Sequence, residues 1–191
     1  MNQSLRVFCA VELPAAVRAR AAEHIARIRE AVPDARASWE RAEKMHITLK
    51  FLGDIEEARV ADLSNAAEHA VYHVAPFEMS IEGTGVFPPR GLPRVLWLGV
   101  NDASDGLARL HQHLESECER LGFAREKKSF HPHLTIARLR QPKGTGHLAA
   151  FHKEMIFETD DFPVTELIVL RSQLGPNGSS YTEISRHSLK K

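Results

Sequence analysis

Two short stretches with the same alternation constrain this chain more than any other feature. In Met45-His46-Ile47-Thr48-Leu49-Lys50-Phe51-Leu52-Gly53, side chains of a strand alternate between faces. Met45, Ile47, Leu49 and Phe51 then share a core face, while His46, Thr48 and Lys50 share the other. In Pro132-His133-Leu134-Thr135-Ile136-Ala137-Arg138 an imidazole and a hydroxyl again take one parity, and Leu134 and Ile136 take the other. The two histidines are 133 − 46 = 87 residues apart. Two further strand-like segments, 6–11 and 94–100, begin 94 − 6 = 88 residues apart. A period this long is no solenoid. The expectation is one domain, 1–191, made of two similar lobes, about 1–90 and 91–191, packed about a pseudo-two-fold axis.

A chain of 191 residues suits a single domain with a substantial core. Twenty-five Lys and Arg balance 25 Asp and Glu, which argues against a broad nucleic-acid coat built from many phosphate contacts and leaves room for a local basic cleft. The N-terminal residues carry no long apolar signal core, and no stretch is long enough to span a bilayer. Cys9 and Cys118 lack CxxC spacing and read as thiols in a reducing cytoplasm.

Along the chain, a strand over 5–13 precedes a helix over 15–31, whose Val17, Ala21, Ile25 and Ile28 follow the helical period. A short strand is expected at 37–39. Gly53-Asp54 should end the first motif strand, with Asp54 as N-cap of a helix over 55–74. A strand over 77–87, the turn Pro88-Pro89-Arg90-Gly91, a strand over 94–100 and a helix over 104–121 stopped by Gly122 come next. A loop at 141–146, a helix at about 146–155, and strands at 164–170 and 181–188 joined by Gly175-Pro176-Asn177-Gly178 complete the reading. Both halves thus read strand, helix, motif strand, helix, strand. Helices on one side of each sheet would leave the two His/Thr faces opposed across a cleft.

Such a pair of faces suits displacement at a phosphodiester. One oxygen must lose a proton and another must gain one, on opposite sides of phosphorus when displacement is in line. Imidazole, with an ordinary pKa of about 6.5, serves as either base or acid near neutrality. The threonine hydroxyls are placed to hold non-bridging oxygens.

The paired motifs, with Phe51-Leu52-Gly53 after the first and Pro132 and Ala137-Arg138 around the second, resemble those of the two-histidine (2H) phosphoesterase superfamily. Within it the chain is most similar to the bacterial RNA 2′,3′-cyclic phosphodiesterases, also called 2′-5′ RNA ligases, and residues 6–11 and 175–181 fit as well. The resemblance implies a bilobal α+β fold of two antiparallel sheets facing a central cleft, with helices on the outer faces. It implies metal-independent hydrolysis of RNA 2′,3′-cyclic phosphate ends to 2′-phosphates, with some reverse 2′-5′ ligation. By the same resemblance His46 donates a proton to the leaving 3′ oxygen and His133 activates water. Thr48 and Thr135 bind phosphate oxygens, and Arg138 adds a charged contact. No metal or cofactor is implied. The partner is RNA with a 2′,3′-cyclic phosphate terminus or a related nucleotide, for a cytoplasmic monomer with no membrane association. Arg138 has the opposite parity to His133 and Thr135, so it reaches the cleft only if the strand kinks there.

Other readings accompany this one. A non-catalytic module would use the same cleft to hold a nucleotide or RNA end. His69 and His73, at i and i+4 of a helix, would present two ligands to a metal. Lys50 reads as a solvated strand lysine or a substrate contact, and Arg125, Lys127 and Lys128 as a solvated loop. Trp39, Trp97 and the phenylalanines read as core, with Phe8 able to stack a nucleobase if its parity faces the cleft.

Overall fold

The alternating segments pair into two antiparallel sheets, seen in a computed structural model that describes residues 4–139, 145–175 and 178–190. In chain order the elements are β1 (Ser4–Glu12), α1 (Ala15–Ala31), β2 (Ala37–Trp39), β3 (His46–Glu56), α2 (Val60–Val71), β4 (Phe77–Phe87) and β5 (Val95–Asn101). They continue with α3 (Gly106–Arg120), β6 (His133–Leu139), α4 (Thr145–Glu154), β7 (Phe162–Val164), β8 (Glu166–Gly175) and β9 (Gly178–Ser188). One sheet runs β3-β1-β8-β9 and the other β2-β6-β5-β4-β7. Each sheet therefore takes strands from both halves of the sequence. Most of the expected loop at 141–146, and Pro176 and Asn177 of the last turn, lie outside the described residues.

The helices cover the sheet faces turned away from the motif side chains. α1 buries Val17, Ala21, Ile25 and Ile28, the stripe that its periodicity predicts, and packs against α4, which lies on β4. α2 and α3 pack on one another and on β3, β8 and β9. Asp102 starts α3 by accepting a hydrogen bond from the Leu107 N–H at 2.7 Å. No helix among the described residues is long and apolar enough to cross a membrane.

The β1–β3 and β5–β6 pairings have the same register. In β1 and β3, Ala10 pairs with Thr48, Cys9 with Lys50, Val11 with Ile47 and Glu12 with His46. Adding 87 to both numbers gives the β5–β6 pairs Trp97 with Thr135, Leu96 with Ala137, Leu98 with Leu134 and Gly99 with His133. The spacing of the outer strands is thus 87, rather than the 88 read from their apolar onset.

Both motif strands carry a β-bulge at the same place. Pairing slips between Cys9 and Ala10, leaving Leu49 unmatched, and between Leu96 and Trp97, leaving Ile136 unmatched. A bulge inserts one residue and inverts the parity of the residues beyond it. Three expectations change as a result. Arg138 turns onto the face of His133 and Thr135, while Ile136 and Ala137 are both buried. Lys50 turns into the core, 4% exposed. Phe51 turns out of it, 46% exposed.

A second slip in β3, between Val7 and Phe8 on the partner strand, is absorbed at Gly53 with φ +72°, a conformation that favours glycine. Gly53 and Asp54 therefore do not end the strand. It continues to Glu56, Asp54 pairs with Arg6, and the helix begins at Val60 without the expected Asp54 cap.

Beneath β5, His24 of α1 and His152 of α4 meet in the core. Their ring nitrogens are 3.3 Å apart, and His152 Nε2 donates to the Trp97 carbonyl at 3.1 Å. Burial, then the neighbouring His152, lowers the His24 pKa from 6.5 to about 4. Unfolded chains therefore bind a proton that the folded protein refuses, so stability falls as pH drops from 6.5 towards 4. A shift of this size corresponds to about 3 kcal/mol at the acid end. Thermal unfolding between pH 7 and pH 4 should show His24→Gln losing Tm less steeply than the parent; equal slopes would contradict this account.

Candidate active site

Each motif histidine is oriented by the chain that leads into it. His46 Nδ1 donates to the Lys44 carbonyl at 2.7 Å, and His133 Nδ1 donates to the His131 carbonyl, also at 2.7 Å. Lys44 and His131 are themselves 131 − 44 = 87 residues apart, so the orienting contact repeats with the motif. A proton held at Nδ1 leaves Nε2 as the reactive nitrogen in both rings. Burial lowers the pKa of each. The backbone hydrogen bond opposes that shift, and the positive charge of Arg138 adds to it.

Arg138 acts electrostatically on both imidazoles, and β3 approaches β6 between the two sheets. Arg138 comes to this position through the Ile136 bulge and stands opposite Ser38 of β2. A cavity of about 790 Å³ opens on the β1–β3 side, its wall including His46, Thr48, Arg138, Phe8, Glu40 and Tyr181. His133 and Thr135 do not line this cavity. His133 lies on β6 with Phe87 edge-on at 5.0 Å and Trp97 at 6.4 Å.

The surroundings of the two histidines differ. Around His46 are Phe8 at 4.8 Å and Tyr181 at 5.2 Å, the latter nearly perpendicular. Phe8 faces this side because β1 alternation places Val7 and Cys9 in the main core. Phe8 and Ala10 form a separate small cluster with Ile168 and Leu170, against which Tyr181 packs. Lys44 reaches across to hydrogen-bond the Ser179 carbonyl, tying the motif to the β9 strand that carries Tyr181. Burial raises the Glu40 carboxyl above its ordinary range, with Arg138 opposing. Burial, then Glu40, raises the Tyr181 phenol.

Of the residues singled out by sequence, the structure places His46, Thr48 and Arg138 on one cavity and His133 and Thr135 on the adjoining strand. Trp39, expected as core, packs partly against the core and also lines the cavity. Lys50 is withdrawn altogether. His69 and His73 do not converge: His69 lies 3.5 Å from Glu117 and 3.2 Å from Arg120, while His73 stacks on His113 at 4.8 Å. Among the described residues no group of three or more His, Cys, Asp or Glu is placed to hold a metal. Sequence reading missed Glu40, which follows β2 and donates its N–H to the Ile136 carbonyl, and Tyr181 of β9; both reach the cleft through long-range pairing that no local pattern reports.

Known proteins resemble the chain in sequence and in fold. The profile of the 2′-5′ RNA ligase superfamily matches residues 17–176. The RNA 2′,3′-cyclic phosphodiesterase of Methanothermobacter thermautotrophicus is 34% identical over 183 residues, covering 94% of this chain and 96% of its own. That of Thermotoga maritima is 32% identical, covering 93% and 91%. Among solved structures, E. coli LigT complexed with 3′-AMP superposes with a TM-score of 0.76 at 26% identity, covering 99% of this chain and 100% of that one. A protein of Thermus thermophilus superposes with a TM-score of 0.79 at 28% identity, covering 97% and 98%.

Proposed function

Because the chain belongs to the 2′-5′ RNA ligase superfamily, we propose that it is an RNA 2′,3′-cyclic phosphodiesterase whose two histidines act as general acid and general base without a metal. The observation that carries the proposal is the repeated Nδ1–H···O=C contact, which leaves a reactive Nε2 on each of two strands related by the internal repeat. A cyclic phosphate hangs on its own ribose, so the leaving 3′ oxygen lies on the nucleoside side and the attacking water on the other. The cavity, large enough to admit a nucleoside and with Phe8 beside the imidazole, is on the His46 side. That asymmetry supports His46 as donor to the 3′ oxygen and His133 as acceptor from water.

In the forward step the water oxygen bonds to phosphorus as His133 Nε2 takes its proton. The P–O3′ bond breaks as His46 Nε2–H protonates the departing oxygen, leaving a 2′-phosphomonoester and a free 3′ hydroxyl. Thr48 and Thr135, neither hydrogen-bonded through its hydroxyl to another described residue, donate to the non-bridging oxygens, and Arg138 balances their charge. The same displacement with a 5′ hydroxyl in place of water as nucleophile on the cyclic phosphate also expels the 3′ oxygen, and its product is a 2′-5′ linkage. Incubation in EDTA with RNA bearing a 2′,3′-cyclic phosphate end should yield the 2′-phosphomonoester. Loss of turnover in EDTA that zinc restores would overturn the metal-free mechanism.

The pH dependence follows from the site. His133 must be neutral and His46 protonated, so kcat/KM is bell-shaped, and both limbs should lie on the acid side of about 6.5, since both pKa values are lowered. Arg138→Gln removes a charge that lowers both, so its profile should move towards higher pH while its maximum falls. An unmoved profile would separate Arg138 from the imidazoles.

A further inference from the structure

Away from the cleft, one cluster joins a hydroxyl, an imidazole and a carboxylate in series. His187 of β9 faces α2, which packs on that strand, and its Nδ1 lies 2.7 Å from Glu68 Oε2. On the other side of the ring, Nε2 lies 2.9 Å from Ser185 Oγ and 3.4 Å from Ser64 Oγ. Alternation along β9 sets His187 and Ser185 on one face, and one helical turn sets Ser64 and Glu68 on one face of α2.

The bonding fixes where the protons sit. An ionised carboxylate only accepts, so His187 Nδ1 donates to Glu68, and a neutral ring then keeps a lone pair on Nε2. Ser185 is the nearer of the two hydroxyls, and its O–H donates to that lone pair. Lys190 also hydrogen-bonds Glu68. Lys190 first, then His187, hold the Glu68 carboxyl below its ordinary range. His187 is 7% exposed, whereas Ser185 is half-buried. The base is shielded, and the hydroxyl it activates can be reached. A histidine that only clamps α2 to β9 needs the Glu68 contact alone; here its second nitrogen meets two hydroxyls as well. β9 is also the outer strand of its sheet, and the outer edge of a strand presents backbone N–H groups, the kind of donor that an oxyanion needs.

We propose that Ser185, His187 and Glu68 form a second reactive centre, a nucleophile, base and orienting carboxylate that takes activated acyl esters beside α2, independently of the phosphodiester cleft. In the acylating step Ser185 Oγ bonds to the carbonyl carbon as its proton passes to His187 Nε2. The bond from that carbon to the ester oxygen then breaks, and the departing oxygen takes the proton from Nε2. Water repeats both transfers on the acyl-serine, releasing the acid and restoring the hydroxyl. Glu68 stabilises the imidazolium between the transfers.

A fluorophosphonate probe on the full-length protein tests this, because attack by a serine oxygen expels fluoride and leaves a stable adduct that peptide mass spectrometry can place. The parent should carry the adduct on Ser185. Ser185→Ala should lose it and Ser64→Ala should keep it, while His187→Gln should form it roughly 10²-fold more slowly, the usual worth of a general base. Glu68→Gln, a partly exposed site, gives the same comparison should His187→Gln fail to fold, and it too should be slower than the parent. Hydrolysis of p-nitrophenyl acetate should rank the variants in the same order. A folded parent with no adduct on Ser185, an adduct on Ser64 in its place, or folded His187→Gln or Glu68→Gln labelled as fast as the parent would overturn the centre and make the cluster a clamp between helix and strand.

Discussion

His46→Ala and His133→Ala should each reduce kcat on an RNA 2′,3′-cyclic phosphate by roughly 10²–10⁴-fold, the usual worth of a general acid or base, with thermal unfolding little changed. Each ring is held by one backbone hydrogen bond and by aromatic neighbours on the cleft side, away from the apolar packing between helices and sheets, so removing either leaves the fold intact. The two variants differ in what restores them. A substrate with sulfur at the bridging 3′ position expels a thiolate, which needs no proton. On that substrate His46→Ala should recover most of its loss, and His133→Ala should recover none. Recovery in the His133 variant instead would exchange the two roles, and recovery in neither would remove acid catalysis from the account.

Lys50→Met should be the most damaging single change to stability outside the apolar core. Lys50 Nζ donates to Glu115 Oε1 at 2.6 Å and to the Ala124 carbonyl at 2.9 Å, and the side chains are 2% and 4% exposed. Glu115 Oε2 also accepts the Glu126 N–H at 3.0 Å. Burial pushes the Glu115 carboxyl up, but the Lys50 hydrogen bond and the Glu126 N–H outweigh it and hold the group below its ordinary value. Removing Lys50 strands that carboxylate, a loss typically about 3–5 kcal/mol. In a chain of this size that is on the order of 10 °C in Tm. Replacing both partners, Lys50→Met with Glu115→Leu, removes the stranded charge and should return most of the loss. Unfolding by urea at pH 7 measures both. A double variant no more stable than the single one would show that the cost lies in packing rather than in the unpaired charge.

Lys50 also marks where sequence stopped being informative. Strict alternation from Met45 placed it beside His46 and Thr48, and one bulge moved it to the opposite face. The matching segment held the clue: Ile136 and Ala137 are adjacent apolar residues followed by Arg138, which breaks a period of two and is how a bulge reads in sequence. Carried back through the 87-residue offset, the same break inverts Lys50 and Phe51 and brings Arg138 into the site. The apolar stripe of α1 was legible because it is local, although the buried His24 beside it was not. Assembly of β8 and β9 onto β1, which brings Tyr181 to His46, was not, because pairing partners distant in sequence leave no periodic trace.

In the proposed mechanism two imidazoles straddle one phosphorus, moving protons while water displaces the ribose oxygen directly. Stereochemistry at phosphorus tests it most directly. An RNA ending in a 2′,3′-cyclic phosphorothioate of one configuration, hydrolysed in ¹⁸O-water, gives a chiral 2′-phosphorothioate whose configuration can be assigned by phosphorus NMR after stereospecific derivatisation. A single in-line displacement by water predicts inversion. Retention would mean two successive displacements through a phosphohistidine, and would make one of the two histidines a nucleophile rather than a proton carrier.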